Sequence, residues 1–164
     1  RNKINNEIKK IENCFIEKEI TKPVLEKLLN IKSNDDFDEI KNEALNGNKN
    51  KTNKLLAETN FEDEKSIFYL NSLNQRINKL NEIELLKKKG ENLDTLISNI
   101  RPPIFWKDKP VIIQQLKKWN KNKIKKALDM TYEAEIKIKS NSHLRKDLII
   151  KNLIVNLCCS ANSS

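Results

Sequence analysis

Apolar residues recur along this chain at three- and four-residue intervals, with Lys, Asn and Glu between them. Ile4, Ile8, Ile11 and Phe15 keep helical spacing through residues 1–18. Thr21 then offers a cap, Pro23 falls in a first helical turn where its missing N–H costs nothing, and Val24, Leu25, Leu28 and Leu29 form the next apolar face. Ser33, Asn34 and Asp35 interrupt and cap. Phe37, Ile40, Ala44 and Leu45 follow, with Gly47 as the stop. A short helix is expected around Leu55 and Leu56. The longest should start near Asn60–Asp63 and reach about Lys89, on the stripe Ile67, Leu70, Leu73, Ile77, Leu80 and Ile83. Leu93, Leu96, Ile97 and Ile100 stop before Pro102. Val111, Ile112, Leu116 and Trp119 follow Pro110; Ile124, Leu128, Tyr132 and Ile136 face one side of 122–140; a last helix covers about 143–157. No segment alternates with the period of a strand, and no fixed repeat is visible. The expected fold class is all-α.

Composition narrows this further. Gly 2 and Pro 4 leave too little punctuation for the many turns of a sheet protein. The hydrophobic share of 37%, with only 5% aromatic, implies a core of Ile and Leu with few rings. Lys+Arg 32 against Asp+Glu 23 gives +9, a balance that suits nucleic acid or an anionic surface. The lysines are nevertheless interleaved with Glu and Asp, and abundant Lys, Asn and Ile is the mark of an AT-biased genome. A solvated surface is therefore the first reading and a nucleic-acid face the second.

Several chemistries lack their residues. A phosphate-binding loop of Gly-x-x-x-x-Gly-Lys-Ser/Thr cannot be built from Gly47 and Gly90. Cys14, Cys158, Cys159 and the lone His143 do not converge into a zinc site, and three cysteines form no disulfide framework. A reducing cytoplasm fits them, with Cys14 as a small hydrophobe. Glu133 and Glu135, or Asp35 and Asp36, are neighbouring carboxylates of the solvated kind, and Glu133 with Lys137 has the helix-supporting i, i+4 arrangement. The expectation is no catalytic, metal or cofactor site and no enzyme activity in this fragment. No apolar run approaches membrane-spanning length, so no membrane partner is expected. The chain opens on Arg1 and its one Met is Met130, so it reads as the back end of something longer.

One stretch breaks the helical rule. Arg101-Pro102-Pro103-Ile104-Phe105-Trp106-Lys107-Asp108-Lys109-Pro110 places two prolines and two large rings on a connector. Such rings need a cover. The first expectation is a clasp that buries them between helices; the alternatives are a partner-facing anchor and stacking on single-stranded bases between Lys107 and Lys109.

The run Arg101 to Trp119, with Ala127-Leu128 and Glu133-Ala134-Glu135-Ile136-Lys137-Ile138-Lys139, resembles the C-terminal domain of the delta subunit of the bacterial DNA polymerase III clamp loader. That family shows an Arg-Pro-Pro loop with an aromatic, a basic step, a helix ending at Trp and a later Glu-hydrophobic-x-Lys helix. Asp36 to Gly47 looks like its opening helix, Ile67 to Leu86 like its central one, and residues 1–32 like the small helical lid before it. The resemblance implies a partial lid over 1–33, a helical collar domain over 34–160 and a disordered tail over 161–164. It also implies a non-catalytic subunit of a DNA-directed DNA polymerase holoenzyme that loads the sliding clamp on primed DNA during replication. The collar would join the ATPase tau/gamma and delta-prime subunits, while the clamp would be gripped by an N-terminal domain absent here. Arg101, Pro102, Pro103, Phe105, Trp106, Lys107 and Trp119 are the implied signature and contact residues. The alternative is a basic helical nucleic-acid-binding domain.

Overall fold

The computed structural model describes residues 34–87, 93–100, 103–140 and 144–163. The chain divides into two compact units, Arg1–Asp36 and Phe37–Ser164; the architecture below is that of the second. Arg101, Pro102, His143 and Cys14 lie outside the described residues, as do both expected helices before residue 33.

Seven α-helices make up the described residues, and no strand occurs among them: α1 (Asn34–Leu45), α2 (Lys49–Glu58), α3 (Ser66–Leu86), α4 (Leu93–Asn99), α5 (Lys109–Leu116), α6 (Lys121–Ser140) and α7 (Lys146–Asn162), with a 3₁₀ turn at Asp63–Lys65. The all-α expectation is met. No helix among the described residues is long and apolar enough to cross a membrane.

The central element is α3, which packs on α6 along its length and also meets α4, α5 and α7. Its buried apolar and aromatic side chains are Tyr69, Leu70, Leu73, Ile77, Leu80 and Ile83, a stripe at i, i+3 and i+4. Full burial of each Leu or Ile is worth roughly 1.5–3 kcal/mol, which makes this stripe the main stabilising feature of the unit. Ile67, expected on the stripe, is exposed, and Tyr69 takes that role. The cause is aromatic packing: Tyr69 lies 4.6 Å from Phe37 of α1 and 5.2 Å from Phe61 between ring centroids, and this triad fixes the rotation of the helix start.

A larger correction concerns α6. Leu128 is half-buried, while Tyr132 and Ile136, expected inside, are 64% and 47% exposed. The buried face is Ile124, Ala127, Thr131, Ala134 and Ile138. The face that packs is thus the one with less apolar bulk. The supporting ion pair on this helix is Glu135 with Lys139.

The end of α1 is closed from several directions. Gly47 adopts φ +70°, its N–H bonds to Ala44 O, and Asn48 N–H bonds to Glu43 O, the two bonds of a Schellman stop. Trp119 Nε1–H donates to Leu45 O at 2.7 Å, Lys118 Nζ to Asn46 O at 2.7 Å and Asn162 Nδ2 to Gly47 O at 2.6 Å. Three successive carbonyls are thus satisfied by side chains from after α5 and from the end of α7. For the same reason α7 continues to Asn162 rather than stopping near Leu157. Ala161 is buried, Asn162 is held at Gly47, and the tail expected from residue 161 is helical for two residues more.

Candidate partner-binding surface

The 103–108 connector is built so that its rings stand outside. Ile104 packs against the core, whereas Phe105 is 58% and Trp106 is 68% exposed. The expected self-burying clasp is therefore overturned for these two rings. The reason is a tight turn directly after Ile104, closed by Asp108 N–H donating to Phe105 O at 2.9 Å. It turns the next two side chains away from the helices.

The C-terminal side of the turn touches two helices. Asp108 reaches Arg76 of α3 at 3.4 Å, and Lys109 Nζ donates to Ser98 Oγ of α4 at 3.3 Å. Pro110 then starts α5 with its ring in the first turn, where no N–H is required. Phe105 and Trp106 lie 5.8 Å apart between centroids with their planes tilted by 49°. Lys107 Nζ sits 5.3 Å from the Trp106 ring centroid, a cation–π contact that covers part of one ring. Two large rings on a pinned turn form an apolar projection that water alone covers poorly.

The other signature ring does the opposite. Trp119 is 1% exposed and donates to Leu45 O, so it holds the fold rather than a partner. Pro103 is exposed beside the rings. Of the expected contact residues the structure brings Pro103, Phe105, Trp106 and Lys107 together and sets Trp119 apart.

Further apolar side chains, absent from the sequence expectation, are exposed on α6 (Tyr132 and Ile136) and around the start of α7 (Leu144 and Leu148). Between the two helices runs a groove of about 370 Å³, lined by Met130, Ala134, Leu148, Ile149 and Leu153 with Lys137 and Arg145 at its rim. The signal was available in the sequence: Tyr132 and Ile136 are four residues apart on the side of α6 opposite Ala127 and Ala134.

The titrating groups with displaced pKa values belong mainly to surface pairs. Glu43 and Glu39 of α1, each 2.9 Å from Lys51 Nζ, hold that ammonium above its usual range. Glu62 does the same for Lys65, and the Arg145 guanidinium lowers the Asp147 carboxyl. Burial raises the Cys158 thiol, which lies 3.8 Å from Thr52 Oγ1. None of these groups lines the turn. Among the described residues no three His, Cys, Asp or Glu side chains are grouped to hold a metal ion. The exposed rings of the turn offer apolar contact area.

No protein-family model, no curated protein and no solved structure matches this chain.

Proposed function

We propose that the chain is a non-catalytic assembly module, the helical collar part of a clamp-loader delta subunit, which joins its neighbours in a cytoplasmic, ring-shaped machine acting in DNA replication. The observation that carries the reading is the Phe105–Trp106 pair, exposed on a turn that is closed by the Asp108-to-Phe105 backbone bond and tied to α4 through Lys109. Pre-ordering matters because rings already held in place lose little freedom when a partner covers them. The uncovered residues of α6 and α7 supply further apolar contact area, and the Arg101–Trp119 resemblance supplies the kind of machine. The ATPase tau/gamma and delta-prime subunits are the proposed partners of this domain. The clamp and primed DNA would be met through the whole complex.

The test is reconstitution. Mixed with the collar domains of those subunits, the chain should elute with them in size-exclusion chromatography, and the double variant Phe105→Ser/Trp106→Ala should lose that complex while keeping its helical circular dichroism. Separate elution of the unaltered chain at high micromolar concentration refutes the proposal.

A second reading has its own support. Trp106 beside Lys107, on a chain of net charge +9, suits a base stacked on the ring with phosphates nearby. It requires binding of single-stranded DNA that weakens steeply with salt and is lost with Trp106→Ala. No binding at low ionic strength removes it.

A further inference from the structure

Behind the two rings, between α3 and the turn, lies a cleft of about 320 Å³. Its polar lining includes Lys41, Arg76, Lys79 and Asp108, and its apolar lining includes Ile104 and Phe105. We propose that this cleft receives one carboxylate from a protein partner, an Asp or Glu side chain whose apolar neighbours rest on Phe105 and Trp106. The idea deepens the assembly reading and rests on it for the class of partner.

Charge accounting points to one anion. Lys41 is bonded to Asp38 at 2.5 Å and to Ser72 Oγ at 2.9 Å. Lys79 is bonded to Glu82 at 2.9 Å. Both ammonium groups are thus neutralised from their own helices. Arg76 is not so well served. Its side chain is 11% exposed, and its one carboxylate contact is Asp108 at 3.4 Å, through Nη2. Its Nη1 is buried and has no hydrogen-bond partner among the described residues. Well-made guanidinium–carboxylate pairs use two parallel bonds near 2.7–2.9 Å. The contact here falls short of that, and a buried charged donor left unmet is unfavourable.

Asp108 is therefore a loose internal substitute for the ligand that the guanidinium fits. A planar carboxylate taking the place of Asp108, whose half-exposed side chain can swing out to water, would meet the guanidinium with two parallel bonds and keep one anion to one cation. A phosphodiester strand fits less well. It would bring repeated negative charge to a cleft where two of three cations are already paired. The apolar side of the cleft also suits a folded partner: a side chain entering beside Ile104 and Phe105 displaces water from both.

The test uses the full chain and three small probes at fixed ionic strength: the N-acetyl methylamide of aspartate, that of asparagine, and dimethyl phosphate. The Arg76 side-chain N–H signals, assigned by their loss in Arg76→Lys, are followed by nitrogen-15 NMR. The aspartate probe should shift them saturably and the asparagine probe should not. Asp108→Asn, which removes the internal competitor, should tighten binding by about threefold or more, the opposite of what general damage to the fold produces. Arg76→Lys should weaken it, read from the backbone amides of residues 103–108. Saturation by dimethyl phosphate at lower concentration than by aspartate overturns the proposal in favour of nucleic acid. So does the absence of a saturable shift, or an Asp108→Asn variant that binds no better. The same variants separate this idea from the assembly reading. If the collar complex forms unaltered in both Asp108→Asn and Arg76→Lys, assembly stands and the carboxylate site falls. If aspartate binds as described and no complex forms, the reverse holds.

Discussion

Trp119 and Trp106 show how one residue type serves two ends. Both lie in the same signature stretch, yet Trp119 is 1% and Trp106 68% exposed. What separates them is the partner for the indole N–H. Trp119 has Leu45 O at 2.7 Å inside the core, so the ring buries its area and its polar atom together. Replacing it by Phe keeps most of the apolar contact but strands a helix-end carbonyl. Trp119→Phe should lower unfolding free energy by about 1–3 kcal/mol in urea titration, while Trp106→Ala stays within about 0.5 kcal/mol of the parent. An equal loss from both would contradict the assignment of inside and outside. In the sequence both tryptophans stood out, but no local pattern tells which carbonyl, 74 positions away, will accept a bond.

At the scale of elements the helices themselves were legible, because period and punctuation are local properties. Gly47 stops α1 and Pro110 starts α5 where chain chemistry requires. The face of α6 was not. Ranking its positions by bulk selects Leu128, Tyr132 and Ile136; the face that packs carries Ala127, Thr131 and Ala134 between Ile124 and Ile138. Which face is covered depends on the neighbouring helices and is invisible in α6 alone. Ala127→Leu, on the best-packed side of α6, should therefore destabilise by about 1–3 kcal/mol through overpacking, although Leu is more apolar and a good helix former. Ile136→Ser on the opposite side should leave the melting temperature nearly unchanged. Calorimetry of the two variants distinguishes this register from the one expected by bulk. The exposed turn was likewise half legible: the prolines and rings marked an unusual connector, but its outward direction follows from the Phe105–Asp108 turn and from Arg76, 32 residues before Asp108.

Taken whole, the described unit buries one continuous core from Phe37 to Ala161, so its far ends should open together. Cys158 reports on this, because it lies inside α7 against Thr52 of α2, whereas adjacent Cys159 is exposed. Alkylation followed by mass spectrometry should modify Cys159 in the native protein and reach Cys158 only as fast as the unit unfolds. Rapid native modification of Cys158 would show that α7 opens by itself. The raised thiol pKa also fixes the sign in alkali. The folded state holds the protonated form, so its contribution is full below the ordinary thiol value near 9.0. It is lost as pH climbs through the raised one.

The bond from Asn162 to Gly47 spans 115 positions of chain. A Cβ at Gly47 would come within 2.7 Å of that same amide, so the stop of the first helix and the end of the last are fitted to each other. In time rather than space, this makes the beginning of the unit its final step. Local helices can form early, but α1 keeps an unfinished end until the last turn of α7 arrives, since closing so long a loop comes late. Weakening this contact by Asn162→Ala should hasten unfolding and leave the folding rate almost unchanged. A slowed folding limb in stopped-flow kinetics would instead place the closure in the nucleus. A nascent unit of this kind stays open at its start until its end has been made.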